Sequence, residues 1–334
     1  TPLPEPIPIS EQKWPEGTLP LVTTRTMTFN QEAFIRDCLD GILMQKTTFP
    51  VQVLIHDDAS TDNTVPILRE YEHKYPGLIQ VFYQPANTHT SKNKHQLRNA
   101  FFDWIKGKYL ALCEGDDYWT APDKLQKQVR FLEENPDHVL SCGGYRAMNS
   151  ALGTSKEVVE NDPGIFPSGN GSRFSFDLNA FGKKWITKTL TIVYKRSAVD
   201  LKILDRYQSR KDIHLFYHIL KNGKGIYFQE VFGVYNIHSG GVYSLKGRKT
   251  NIISNFRSYA ELYEYNRDNF TRERYLHHLT TKFAFELRHE FFPLKIRDRY
   301  HEVKKIVGLT ASFKEFKGVL KLLLVEMFIL ARSK

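Results

Sequence analysis

The chain has 334 residues, of which 41% are hydrophobic and 13% aromatic, enough to bury a sizeable core and too apolar for a disordered chain. The net charge of +10 is unevenly placed: residues 1–240 carry +1 and residues 241–334 carry +9, so the first 240 residues lack the basic stripe of a nucleic-acid binder and no nucleic-acid partner is expected. Cys38, Cys113 and Cys142 make no CxxC pair and no even disulfide framework, no run reaches the roughly 18–20 apolar residues of a membrane span, and residues 1–6 show no signal-peptide pattern; a cytoplasmic setting is expected.

Residues 1–17 are Pro-rich and are expected to drape over the surface. From there the pattern alternates between β-branched runs and helical spacing, the mark of an α/β sheet. Residues 21–26 read as a strand, 30–44 as a helix and 51–56 as a second strand closed by the polar turn 57–62. A helix over 64–75 tolerates Pro66 in its first turn. Residues 78–83 form the next strand, 95–106 a helix, 109–113 a strand ending on Glu114-Gly-Asp-Asp, and 122–134 a helix. Regularity weakens from Gly143, and the Gly-, Ser- and Asn-rich stretch 150–180 predicts a long loop. Residues 190–194 and 226–235 read as later strands, 213–221 as a helix, and the chain from 252 onward as helical.

Two acidic clusters follow two apolar strands: Asp57 with Asp58, and Glu114 with Asp116 and Asp117. Carboxylates this close raise one another's pKa unless a cation holds them, and Mn²⁺ or Mg²⁺ shared with substrate phosphates answers that need. Strand ends of open α/β sheets are also where ligands bind.

Thr28-Phe-Asn-Gln-Glu, Asp57-Asp-Ala-Ser-Thr-Asp, Arg98-Asn99 and Glu114-Gly-Asp-Asp-Tyr-Trp, in this order and spacing, resemble glycosyltransferase family 2. The resemblance covers residues 20–140 and resumes between about 185 and 245. It implies an inverting enzyme with a GT-A fold, a Rossmann-like mixed sheet flanked by helices, over residues 18–245, followed by a helical C-terminal region over 246–334. It further implies nucleotide contacts at Thr26, Phe29, Asn30, Glu32, Asp57, Asp58 and Arg98, and metal contacts at Asp116, Asp117 and His238. Glu114 stands where the family usually has Asp. Asp212, in Arg210-Lys-Asp-Ile-His, takes the place of the family's general base, although Lys211 replaces the acid that usually precedes it. The implied partners are a nucleotide-sugar donor, expected to be a UDP-sugar, and a glycan or lipid-linked acceptor of bacterial surface polysaccharide (capsule) assembly.

Trp119, Trp185 and Tyr118 are candidates for stacking on acceptor sugars, with Thr187 and Thr189 adding hydroxyls. Lys92, Lys94, Ser244, Lys246 and Arg248 are candidate phosphate contacts, the last three in a lid. In the tail, Lys314, Lys317 and Lys321 share one helical face, and 11 of the 13 residues 319–331 are apolar. That pattern suits peripheral docking at the inner face of the cell membrane, burial against the catalytic domain, or a homodimer interface. Two other classes compete. A sugar-nucleotide nucleotidyltransferase needs a Gly-rich phosphate loop after its first strand, and Thr26-Met-Thr-Phe-Asn-Gln contains no Gly. A non-catalytic glycan-binding protein has no reason to set acids at strand ends.

Overall fold

The computed structural model describes residues 2–87, 99–149, 152–158, 172–208, 210–241 and 248–278. Its strands are β1 (Ile7–Pro8), β2 (Val22–Thr28), β3 (Lys46–Thr47), β4 (Val51–Asp57), β5 (Ile79–Tyr83), β6 (Tyr109–Leu112), β7 (Tyr118–Trp119), β8 (His138–Asn149), β9 (Thr154–Val158), β10 (Arg173–Phe176), β11 (Val193–Lys195) and β12 (Lys224–Ile237). Its helices are α1 (Ile35–Leu43), α2 (Thr64–Lys74), α3 (Lys124–Glu134), α4 (Leu178–Lys183), α5 (Asp212–Leu220), α6 (Arg248–Asn266) and α7 (Asn269–His277). Among the described residues no helix is long and apolar enough to cross a membrane.

The chain divides into two compact units, one of Thr1–Ile203 with Phe216–His238 and one of Leu204–Leu215 with Ser239–Lys334. The first contains a mixed sheet in the order β10-β12-β8-β11-β6-β2-β4-β5, with β7 paired to β12 and β9 to β8. Strands β6, β2, β4 and β5 are parallel, and β11 is antiparallel between β6 and β8. Burial on both faces explains the mostly apolar runs of β4 and β6, whereas β2 is a buried, Thr-rich β-branched run. The core on one face joins Val22, Val53, Ile55 and Ala111 of the sheet to Ile35, Cys38, Leu39 and Ile42 of α1, Leu68 of α2, and Leu125 and Val129 of α3.

The expected strands are present with shifted ends. Helix α1 starts at Ile35 instead of 30, because residues 30–34 turn to meet the loop after β4. The 190–194 run is one 3-10 turn, Thr189–Thr191, followed by β11. Strand β8 passes unbroken through the region where regularity was expected to fail, pairing in parallel with β12. Gly143 lies within it because a Cβ there would meet the Phe232 ring at 2.6 Å. The Pro-rich start is pinned more firmly than a draped segment: β1 pairs with β3, Leu3 N donates to Thr48 O at 2.7 Å, and Ile9 is buried. Of the helix expected over 95–106, residues 99–102 are helical and 95–98 lie outside the described residues.

In the second unit the segment 204–215 is sewn to α6. His214 Nε2 lies 3.0 Å from Ser258 O, Lys211 Nζ donates to Asn255 Oδ1 at 2.6 Å, and Asn266 Nδ2 donates to Tyr207 OH at 2.9 Å. Asp268 caps α7 by accepting from Thr271 N at 2.8 Å.

One buried group of the first unit works against folding. Lys124, at the start of α3, is fully buried, with its ammonium 4.1 Å from the Trp119 ring centroid. Burial pushes it down to about 7 from the ordinary 10.5, against the opposing influence of Cys113 and Cys142. The folded protein therefore binds fewer protons than the unfolded chain between pH 7 and 10.5. Stability rises with pH through that window, and the full cost is present below pH 7. Lys124→Met should raise stability below pH 7 by on the order of a few kcal/mol, a gain that shrinks toward pH 10.5; denaturant melts across that range measure it.

Candidate active site

Strand β2 brings the two acidic motifs together. Its parallel register with β4 runs from Val22↔Val51 to Thr28↔Asp57, and with β6 from Val22↔Tyr109 to Arg25↔Leu112. Beyond β6 the chain stays on β2: Cys113 N donates to Arg25 O at 3.2 Å and Gly115 N to Met27 O at 3.0 Å. On the other side Asp58 N donates to Thr28 O at 3.0 Å. Gly115 allows this approach, since a Cβ would press on the Gln31 side chain and lie 2.9 Å from Thr28 Cβ. Behind the motif, Cys38 Sγ and Cys113 Sγ lie 3.8 Å apart in the core, and they point their thiols at Glu114 O (3.5 Å) and Asp117 O (3.4 Å) respectively.

On the β4 side, the loop after β2 is laced to the loop after β4. Asn30 N donates to Ser60 Oγ at 2.9 Å, and Asn30 Oδ1 accepts from Thr61 N at 2.7 Å. Glu32 Oε2 accepts from Asn63 N (2.8 Å) and Nδ2 (2.7 Å), and Asp62 Oδ2 accepts from Glu32 N at 3.0 Å. Asn30 and Ala59 both sit at positive φ, 51° and 62°, backbone strain of the kind found at ligand clamps. Asn30 and Glu32, expected to touch the nucleotide, commit these polar atoms to joining the loops. Phe29 is left 44% exposed at the rim. Asp57 is buried; its Oδ2 accepts from Ser60 N at 3.1 Å, and burial pushes its carboxyl up despite that bond. Asp58 is the more exposed member of the pair.

The β6 side repeats that division. Asp117 is only 3% exposed, and its Oδ1 accepts from Asn236 N at 3.0 Å. Burial, then the charge of Asp116, pushes its carboxyl well above the usual range. Asn236 Nδ2 donates to Asp116 O at 2.6 Å, so the end of β12 grips both residues. Two residues on, His238 Nε2 lies 3.1 Å from Asp116 Oδ2, and its ring packs on Phe34 with centroids 4.5 Å apart. Asp116 and His238 remain partly exposed where the buried Asp117 does not.

Other expected site residues sit elsewhere. Thr26 is wholly buried two residues inside β2, because the strand continues to Thr28; the strand-end hydroxyl belongs to Thr28. Trp119 is a core residue, 1% exposed, whose Nε1 donates to Leu190 O at 2.7 Å, so it cannot stack on an acceptor. Thr187 is buried too, bonded through Oγ1 to Gly143 O at 3.1 Å. Trp185 is exposed, at 41%, against Phe181 and Phe216. Asp212 is the exposed first residue of α5 and belongs to the second unit. Lys92, Lys94, Arg98, Ser244, Lys246 and residues 313–331 lie outside the described residues. The sequence reading gave no role of their own to Thr28, quoted only within its motif, or to Asn236, although a period of two carried past residue 235 sets Asn236 and His238 on the same side.

The profile of Glycosyl transferase family 2 matches residues 26–199, more than half of the chain and both acidic motifs. The chain belongs to glycosyltransferase family 2. Among curated relatives, this glycosyltransferase is 46% identical over 112 residues to an uncharacterized protein of Mycobacterium tuberculosis, a match over 34% of the chain that spans 31% of the relative's length. It is 28% identical over 228 residues to the putative teichuronic acid biosynthesis glycosyltransferase TuaG of Bacillus subtilis, covering 68% of the chain and 83% of the relative. Among solved structures, S. aureus TarS 1-349 in complex with UDP-GlcNAc matches with a TM-score of 0.59 at 17% identity, over 86% of this chain and 81% of that one. The mannosyltransferase PcManGT of Pyrobaculum calidifontis, in complex with GDP-Man and Mn²⁺, matches with a TM-score of 0.50 at 16% identity, over 96% and 84%. The mixed sheet of the glycosyltransferase is thus a GT-A fold.

Gly115→Ala tests the close approach of the acidic motif to β2. The variant should lose about 1–3 kcal/mol of stability and on the order of 100-fold in sugar-transfer rate, measured by melting and initial rates.

Proposed function

We propose that this enzyme moves a sugar from a nucleotide diphosphate donor, a UDP-sugar, to a hydroxyl of a glycan or lipid-linked acceptor, inverting the anomeric carbon. The observation that carries the reading is one strand end flanked on one side by Asp57 and Asp58 and on the other by the Asp116–His238 pair. The UDP and UDP-GlcNAc held by the TarS structures support the choice of donor, and the name of TuaG supports a bacterial surface polysaccharide as the acceptor.

In this reading Phe29 covers the base and Asp58 takes the nucleoside, while Asp57, Asn30 and Glu32 hold the two loops in place. The Asp116–His238 pair fits Mn²⁺ or Mg²⁺: a carboxylate oxygen and an imidazole nitrogen 3.1 Å apart suit such ions. Among the described residues no third His, Cys, Asp or Glu joins them, which leaves positions for phosphate oxygens and water. Bound there, the cation would offset negative charge on the diphosphate. Asp117 holds the motif from inside through Asn236. Asp212 is the general base that takes the acceptor's proton, and the exposed Trp185, packed on the buried Phe181, offers an apolar face to a sugar. The catalytic domain would span 18–245, and the basic C-terminal region would dock on the inner face of the membrane or on a second copy.

Thermal shift against UDP-, GDP- and dTDP-sugars, with and without Mn²⁺, should show the largest rise for a UDP-sugar with the metal. Asp116→Asn should abolish the metal-dependent part of that rise. Asp212→Asn should lower kcat by roughly 10²–10⁴-fold and leave donor Kd unchanged, as titration and initial rates would report. If donor binding weakens with turnover, the base lies elsewhere.

A further inference from the structure

Lys188 is remote in sequence from both acidic motifs, yet the fold fixes it beside one of them. Its carbonyl oxygen accepts from Thr191 N and from Thr191 Oγ1, each at 3.1 Å. The preceding Thr187 is tied to Gly143 O, and Leu190 O takes the Trp119 indole. Trp119 lies three residues beyond Asp116, so the 187–191 turn and the acidic motif form one hydrogen-bonded piece.

The side chain is placed as well. The Lys188 ammonium rests 4.4 Å from the centroid of the Tyr235 ring, a cation–π contact. Tyr235 directly precedes Asn236, the residue that grips Asp116 and Asp117. Through Tyr235 and its neighbour Asn236, the ammonium is thus tied to the strand end that holds the motif. Among the described residues, however, it forms no ion pair. A cation ordered beside carboxylates, but not neutralised by one, is set to receive another anion.

We infer that Lys188 binds the donor at the acidic motif, its ammonium taking the diphosphate of the nucleotide sugar; this rests on the donor reading above. In transfer, the acceptor oxygen forms a bond to the anomeric carbon and gives up its proton to the general base. The bond from that carbon to the phosphate oxygen breaks, and its electron pair leaves with the nucleoside diphosphate, which gains one negative charge. A cation already fixed at that place stabilises the developing charge without first having to be ordered.

The test is titration of the full chain in Mn²⁺ with UDP, UDP-glucose and UDP-glucuronate, with uridine followed by ligand-observed NMR, for the wild type, Lys188→Met and Lys188→Arg. Lys188→Met should bind UDP and UDP-glucose about 10- to 100-fold more weakly, the span of a charge-assisted hydrogen bond. Uridine should bind unchanged, and Lys188→Arg should restore most of the UDP affinity. Equal UDP affinity in wild type and Lys188→Met overturns the inference. So does a loss confined to UDP-glucuronate, which assigns the lysine to a sugar carboxylate, and so does an equal loss for uridine and UDP, which marks a collapsed site. A wild type that binds no nucleoside diphosphate refutes the donor reading itself, and the role of Lys188 with it.

Discussion

The position of β2 between β4 and β6 is the constraint on which the site depends. Because all three strands run parallel, their carboxyl ends lie on one edge, and a residue leaving β4 and a residue leaving β6 become neighbours of the same strand end. The backbone bonds from Asp58 to Thr28 and from Gly115 to Met27 extend that ladder past the formal strands. Motifs far apart in sequence, at Asp58 and at Gly115, are thus held against adjacent residues of β2. Changes that loosen this ladder should act on both motifs at once.

The two aspartate pairs solve one electrostatic problem in the same way. In each, one carboxyl group is buried and accepts a backbone N–H, from Ser60 to Asp57 and from Asn236 to Asp117, while its neighbour stays at the rim. Burying a carboxylate is costly, and a backbone donor offsets part of that cost. The inner acid fixes the loop, and the outer one lies nearer the surface, where Asp116 meets His238. Each motif thus divides into a buried acid that accepts a backbone N–H and a more exposed neighbour.

Much of this was legible because strands of a parallel sheet are written as β-branched runs and their ends as acids. The existence of β2, β4, β5 and β6 could be read in this way, as could the two acidic motifs, while the order of the strands in the sheet could not. The rest was hidden for physical reasons. Strand β8 runs through Ser141, Cys142, Gly143 and Gly144, a stretch of small residues that leaves room for the Phe232 ring, and small residues weaken a propensity signal. Trp119 and Thr187 looked like acceptor contacts because residue type does not reveal burial, and the indole's partner, Leu190 O, is 71 residues away. Asn30 and Glu32 lie just past the end of β2, but their polar atoms serve the partner loop, a tertiary pairing that no local pattern encodes.

The paired sulfurs of Cys38 and Cys113 give the catalytic face a built-in clock. Both are closed off from water between α1 and the end of β6, with their thiols directed at carbonyl oxygens of the acidic motif. A thiol reagent reaches Cys113 only when that packing has parted, so its rate of modification counts opening events at this place. A donor that tightens the acidic motif should slow that clock, which would make the sulfurs a reporter of occupancy that requires no turnover.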